Sequence, residues 1–179
     1  ITRMIQAAGI DLAQLQPEAL DMPFGLSSGA GAIFGVTGGV TEAVLRRLVN
    51  SSRTEDLEEI SFTGIRGVDG IKEAKVNLNG REVKIAVVNG LHSAEELLDK
   101  MKAGEANYDF VEVMACKRGC IAGGGQPVPI GPRTKKARLE GIYKIDRMAQ
   151  IKLSNENPII TEVYQGILKG KEHKLLHND

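Results

Sequence analysis

Apolar and polar positions change period several times along the chain, and each change predicts an element. Residues 2–8 carry a short helical pattern stopped by Gly9, and "LQPEALDMP" after it predicts a connector. From Ala30 to Val49 the apolar residues Ile33, Phe34, Val40, Ala43, Val44 and Leu48 recur at helical spacing. They predict one long helix whose N-terminal end is rich in glycine, so that packing or a ligand has to hold that end. The pattern then switches to alternation. Val76 and Leu78, then Asn79-Gly80, then Val83 and Ile85 predict a hairpin, because Asn-Gly supplies the positive φ that a type I′ turn needs at both central residues. "IAVVNG", residues 85–90, reads as the buried end of its second strand. Ser93 with Glu96 three residues on forms a capping box, predicting a helix over 94–102. "YDFVEVMA", residues 108–115, predicts a further strand. Residues 83–115 thus form a strand–helix–strand unit, which favours parallel pairing. Helices are predicted over 133–150 and 158–169, the second started by Pro158. The whole is read as a single α/β unit, residues 1–179, with a parallel or mixed sheet flanked by helices.

Composition narrows the classes. The chain has 179 residues, 42% hydrophobic and 26% charged, enough apolar material for a packed core. With no Trp and only 4% aromatics that core must be aliphatic. Lys plus Arg equals Asp plus Glu, which removes the basic footprint of a nucleic-acid binder. No apolar run reaches the ~18–20 residues of a membrane span, and the N-terminus has no signal-peptide pattern. A reducing cytoplasm is therefore the expected setting. Because the first residue is Ile1 rather than Met, a processed chain or a piece of a longer one is expected.

The chemistry concentrates in "EVMACKRGCIAGGGQP", residues 112–127. Both cysteines of the chain, Cys116 and Cys120, lie there, followed by Gly123, Gly124 and Gly125. The stretch directly follows a predicted strand, where open α/β sheets place ligands. The spacing is not the C-x-x-C of thioredoxins. Zinc would need two further ligands, and His92, His173 and His177 are distant in sequence. The two thiols could pack as small hydrophobes, although Lys117, Arg118 and the glycines make a polar, electropositive loop. An iron–sulfur cluster fits the composition better, since a Gly-Gly-Gly run exposes N–H groups to cluster sulfur. A cubane, however, needs four cysteines and the chain has two. A second glycine cluster, Gly29 to Gly35, reads G-x-G-x-x-x-G, one residue off the dinucleotide fingerprint. No strand precedes it and no Walker lysine follows, so nucleotide binding is a weak alternative. Glu112 and Glu42 invite a role as proton relays, but the plainer expectation is a solvated or structural carboxylate.

The stretch resembles the last cysteine motif of the iron-only (FeFe) hydrogenases, M-A-C-x-x-G-C-x-x-G-G-G-Q-P, through Met114, Ala115, Cys116, Gly119, Cys120, Gly123, Gly124, Gly125, Gln126 and Pro127. "FGLSSGAGAIFGVTGGVTEAVLR", "GIKEAKVNLNGREVKIAVVNG" and "HKLLHND" resemble other parts of the same family. The resemblance covers nearly the whole chain. It implies the C-terminal lobe of a two-lobed hydrogenase catalytic domain, because the motifs T-S-C-C-P and M-P-C-x-x-K-K are absent. It also implies an H-cluster, a 4Fe–4S cluster joined to a two-iron subcluster with CO, cyanide and a dithiolate amine. By position, Cys116 would ligate the cubane and Cys120 would bridge the cubane and the two-iron unit. Met114 would line the pocket, with Phe24 and Gly25 walling it. Gly123, Gly124, Gly125 and Gln126 would pass close to the cofactor. Lys117 and Arg118 depart from the family's usual residues there.

The reaction implied is 2 H⁺ + 2 e⁻ ⇌ H₂ under anaerobic conditions. The partners implied are a chain or segment carrying the remaining cluster cysteines and an electron donor such as a ferredoxin or a diaphorase subunit. The isolated chain is expected to be inactive. Relatives in hydrogen sensing or iron–sulfur assembly, and a metal-free α/β interaction module, are the alternatives.

Overall fold

The computed structural model describes residues 1–16, 18, 26–49, 70–78, 80–116, 119–127 and 130–177. Strand β1 (Ile71–Leu78) pairs antiparallel with β2 (Arg81–Asn89), in the register Val76 opposite Val83. Asn79 lies outside the described residues, and Gly80 has φ 83°, as the predicted turn requires. β2 pairs parallel with β3 (Phe110–Met114), which places Asn89 beside Met114. The sheet order is β1-β2-β3, a mixed sheet in an α/β fold.

The central strand explains the layers. Side chains alternate along β2, so Ile85 and Val87 face one side and Ala86 and Val88 the other. Ile85 and Val87 pack with Val76 and Leu45. Leu45 belongs to α3 (Gly39–Val49). Ala86 and Val88 pack with Ala94 and Leu97, from the crossover helix α4 (Leu91–Lys102). A third cluster joins Ile33, Val36, Ile121 and Tyr143. Tyr143 comes from α5 (Pro132–Met148), which is followed by α6 (Pro158–Gln165) and α7 (Glu172–Leu176). A short helix α1 (Thr2–Ala7) stands at the N-terminus.

Three boundaries differ from expectation. The long helix over Ala30–Val49 is broken. A one-turn helix α2 (Gly29–Ala32), capped by Ser28 accepting from Gly31 N at 3.1 Å, leads into a 3₁₀ turn at Ile33–Gly35. Val36 is extended, Gly38 has φ 84°, and α3 starts afresh at Gly39. A Cβ on Gly39 would lie 1.7 Å from the Ile33 carbonyl oxygen, so this close return of the chain needs glycine. The crossover helix begins at Leu91, not at residue 94, and Ser93 does not cap it. Gly90, at φ 85°, is the N-cap, and its N–H donates to Met114 O at 2.8 Å. The parallel ladder thus runs directly into the helix and leaves no room for the capping box. The last predicted helix stops at Gln165, before Gly166, and α7 is an additional element.

Asp109 anchors the start of β3. Its carboxylate accepts from Lys84 N at 2.9 Å and from Arg81 at 2.9 Å. The backbone donor first, then the guanidinium, hold its pKa below the ordinary 3.8. A depressed carboxylate stabilises above its unfolded pKa, and that contribution is lost as pH falls through the folded value. Asp109→Ala is therefore expected to lower the melting temperature at pH 7 and to lose that effect in thermal melts run well below pH ~3.8.

Candidate metal-binding site

The cysteine loop is built on the end of β3. Along that strand Phe110, Glu112 and Met114 share one face, and Glu112 is buried there. Its Oε1 accepts from Gly38 N at 2.8 Å, and its Oε2 accepts from Thr41 N and Thr41 Oγ1, both at 2.7 Å. The carboxylate thus binds the backbone at the start of α3, where unpaired N–H groups and the helix dipole favour an anion. Of the two expectations for Glu112, solvated or structural, the structural one holds. The signal was in the sequence, since Glu112 is a charged residue at an inward-facing position of an apolar strand. Glu42 is also buried and pairs with Arg46 at 2.5 Å, so it too is structural.

Met114, half-buried, sits beside Thr37. The Thr37 hydroxyl donates to Asn89 Oδ1 and lies 3.8 Å from Met114 Sδ. Gly119 closes over this group with φ 76°, and a Cβ there would meet Thr37 N at 3.0 Å, Gly35 O at 3.2 Å and Met114 Sδ at 3.2 Å. Thr37 and Asn89 were missed by sequence reading, because each is a common residue type whose partner lies far along the chain. Beyond Met114 the loop coils through Gly119 N to Cys116 O at 3.0 Å, Gly123 N to Cys120 O at 3.1 Å and Gln126 N to Gly123 O at 3.3 Å. Arg138, from α5, fastens it by donating to Ile121 O at 2.7 Å and Pro127 O at 2.8 Å.

Cys116 and Cys120 are both free and exposed on this loop. The Cys116 sulfur lies over Gly123, 3.4 Å from where a Cβ would stand. Gly124 and Gly125 differ from Gly119, since a Cβ on either meets nothing within 4 Å. Gly125 has φ 84° and so needs glycine for its turn. Gly124 has neither a positive φ nor a neighbour in the described residues. Gln126 and Cys120 line one shallow pocket of about 380 Å³ with Gly35, Ile121 and Arg138. The structure thus gathers Met114, Cys116, Cys120, Gly123, Gly124, Gly125 and Gln126 in one loop. Phe24, Gly25, Lys117 and Arg118 lie outside the described residues. Among the described residues no group of three or more His, Cys, Asp or Glu side chains is placed to hold a metal. The donor set is two thiols, which fits half a cubane's ligands and no more.

The glycine cluster at Gly29 offers no phosphate cradle. Gly29 N and Ala30 N donate to Ile151 O and Lys152 O at 2.8 and 3.1 Å, and Gly31 N donates to Ser28. These amides at the start of α2 are engaged by the protein itself.

Comparison with known proteins completes the picture. Residues 1–124 match the family model of the iron only hydrogenase large subunit, C-terminal domain. Residues 132–179 match that of the iron hydrogenase small subunit. The chain is 42% identical over 182 residues to the NADP-reducing hydrogenase subunit HndD of Solidesulfovibrio fructosivorans, covering 99% of this chain and 31% of that protein. It is 48% identical over 128 residues to the periplasmic Fe hydrogenase large subunit of Nitratidesulfovibrio vulgaris, covering 72% of this chain and 30% of that one. A weaker similarity, 27% over 185 residues, runs to the cytosolic Fe-S cluster assembly factor narfl of Danio rerio, covering 99% of this chain and 45% of that protein. A solved FeFe-hydrogenase, studied for oxygen-induced degradation of its H cluster 2Fe subcluster, superposes with a TM-score of 0.70 at 35% identity, over 98% of this chain and 52% of its own. The chain spans about a third of those hydrogenase sequences and about half of the solved structure. No described helix is long and apolar enough to cross a membrane.

Proposed function

The chain belongs to the iron-only hydrogenase family, and we propose that it serves there as one half of the H-cluster catalytic domain, completed by a segment or chain carrying the other cluster cysteines. The observation that carries this reading is the pair of exposed thiols, Cys116 and Cys120, on a loop where a Cβ on Gly124 would meet nothing within 4 Å among the described residues. When bound, the H-cluster supplies the interconversion of protons, electrons and H₂. In this reading Cys116 and Cys120 would hold the cofactor as thiolates, Cys116 as a cubane ligand and Cys120 as the ligand shared with the two-iron subcluster. Met114, held by its contacts with Thr37 and Gly119, walls the pocket. The glycines let the backbone approach the cofactor without a side chain between. Glu112 fixes the strand end that carries the loop and, with both oxygens occupied by donors, is not assigned to proton transfer. An electron donor such as a ferredoxin or diaphorase subunit, and a cytoplasmic setting, belong to the same reading. Subcellular fractionation of the producing cells checks the latter.

The assembly-factor relatives suggest a second reading, in which the loop holds a cluster without hydrogen turnover. The higher identity to hydrogenases, 42% against 27%, favours catalysis. The test is anaerobic reconstitution of the chain together with a polypeptide bearing the missing cysteine motifs, followed by infrared spectroscopy and a hydrogen assay. Cyanide and carbonyl bands with hydrogen turnover support the proposal. A stable iron–sulfur cluster that takes up no two-iron unit would instead favour the assembly reading.

Gly124 gives a sharper expectation. Gly124→Ala should leave the melting temperature of the chain nearly unchanged, within ~0.5 kcal/mol of stability. It should lower the iron retained by the reconstituted complex, as iron analysis on the same preparation would measure.

A further inference from the structure

We infer that residues 1–15 are a preformed docking arm, which packs on the polypeptide that completes the catalytic domain and not on the chain that carries it. Two observations meet in this segment. The first is that the arm is locally well built yet covers nothing. Its helix α1 (Thr2–Ala7) is followed by Gly9 at φ 67°. Gly9 N donates to Gln6 O at 3.0 Å and Ile10 N to Ile5 O at 3.2 Å, the paired bonds of a Schellman turn. Asp11 then accepts from Ala13 N at 3.0 Å and caps a 3₁₀ turn over Leu12–Gln14. These bonds close within the arm, and among the described residues no hydrogen bond or ion pair leads from it to the rest of the chain. Ile1, Met4, Ile5 and Ala8 recur at helical spacing and share one face of α1, opposite Thr2, Arg3 and Gln6. Yet no residue of α1 or of the 3₁₀ turn is buried. Ile1 is 92% exposed, Met4 72%, Leu12 63% and Leu15 56%. A helix of six residues is far below the ~12–15 that hold together in water without packing, so this stripe needs a cover.

The second observation points to what covers it. Residues 1–124 match one family model as a unit, so the arm belongs to the hydrogenase domain itself. The superposition on the solved FeFe-hydrogenase takes in 98% of this chain, too large a share to leave the arm out, but only 52% of that one. The arm therefore lies in a fold whose other half this chain does not contain. The chemistry of the surface that receives it follows from the stripe: an aliphatic cleft about two helical turns long, extended to take Leu12 and Leu15. Arg3 and Gln6 lie on the opposite face and stay in water. Because the Schellman turn and Asp11 already set the shape of the arm, little ordering entropy is left to lose on docking. This inference rests on the half-domain reading and adds to it a place where the two halves join.

The test is amide hydrogen exchange on the 179-residue chain, alone and together with the polypeptide bearing the other cysteine motifs, with iron and sulfide supplied anaerobically. Residues 2–15 should exchange freely in the isolated chain and at least tenfold more slowly in the complex. Met4→Glu combined with Leu12→Glu should weaken the association at least tenfold, as titration of the two polypeptides would read, because two apolar side chains would lose their burial. The same double variant should leave the melting temperature of the isolated chain unchanged, since both positions are exposed there. Gln6→Glu, on the polar face, should leave the association as it was. A complex that forms while exchange in the arm stays fast, or a double variant that binds as tightly as the unsubstituted chain, overturns the arm's role and leaves the half-domain reading standing. No association of the two polypeptides at all overturns both. Slow exchange of the arm in the isolated chain overturns the inference too: gel filtration then assigns the cover to this chain if it runs as a monomer, or to a second copy if it runs as a dimer.

Discussion

Arg46→Met is expected to destabilise the chain by about 3–5 kcal/mol, the usual cost of removing one member of a buried charge group. Arg46, Glu42 and Asp146 are all buried, with the guanidinium between the two carboxylates. Burial opposes the charge on Arg46, but the bond to Asp146 and the attraction of Glu42 outweigh it and raise its pKa further. Methionine fills much of the volume but leaves two buried carboxylates without that cation. The damage reaches the site, because α3 carries Arg46 at one end and its first turn grips Glu112 at the other. Urea denaturation followed by circular dichroism is the measurement, with the midpoint lowered and the slope unchanged. A loss under ~1 kcal/mol would place the group in water rather than in the interior.

Cys120→Ala should have the largest effect on function. In the completed enzyme it is expected to remove the cyanide and carbonyl infrared bands and to cut hydrogen turnover by more than about 100-fold, beyond the loss that altering a ligand's hydrogen-bond partner brings. On the proposed reading, Cys116→Ala would remove a cubane ligand only and should lower retained iron, while Cys120 would still be there to join the two units. Neither change should move the melting temperature much, because both side chains are exposed and free. Retained infrared bands in the Cys120 variant would remove the bridging role.

Much of this was legible in the sequence where the physics is local. The hairpin came from alternation plus Asn79-Gly80, and the parallel unit from a strand, a helix and a strand in succession. The cysteine loop was legible because the chain's two cysteines stand four residues apart, just before three consecutive glycines. What escaped depends on distant partners. The break at Val36–Gly38 exists because Glu112, far along the chain, binds Gly38 and Thr41, and because Gly39 packs against Ile33 O. Helical spacing of Ile33 and Val40 could not reveal that. Ser93 had the pattern of a cap, but Gly90 had already turned the chain to keep its bond to Met114. Nor did Arg46 or Asp146 announce a pair 100 residues apart. Of the site itself, the sequence supplied the candidate ligands Cys116 and Cys120, while Thr37, Asn89 and Arg138, which hold the loop in place, became visible only in three dimensions.

The central claim is that this loop is half of a ligand set. The most direct measurement is anaerobic reconstitution of the isolated 179-residue chain with iron and sulfide, with both counted after desalting. The account predicts no stable 4Fe–4S cluster until a polypeptide bearing the other cysteine motifs is added, and a stoichiometric one afterwards. A complete, stable cluster held by the isolated chain through its own residues would contradict it.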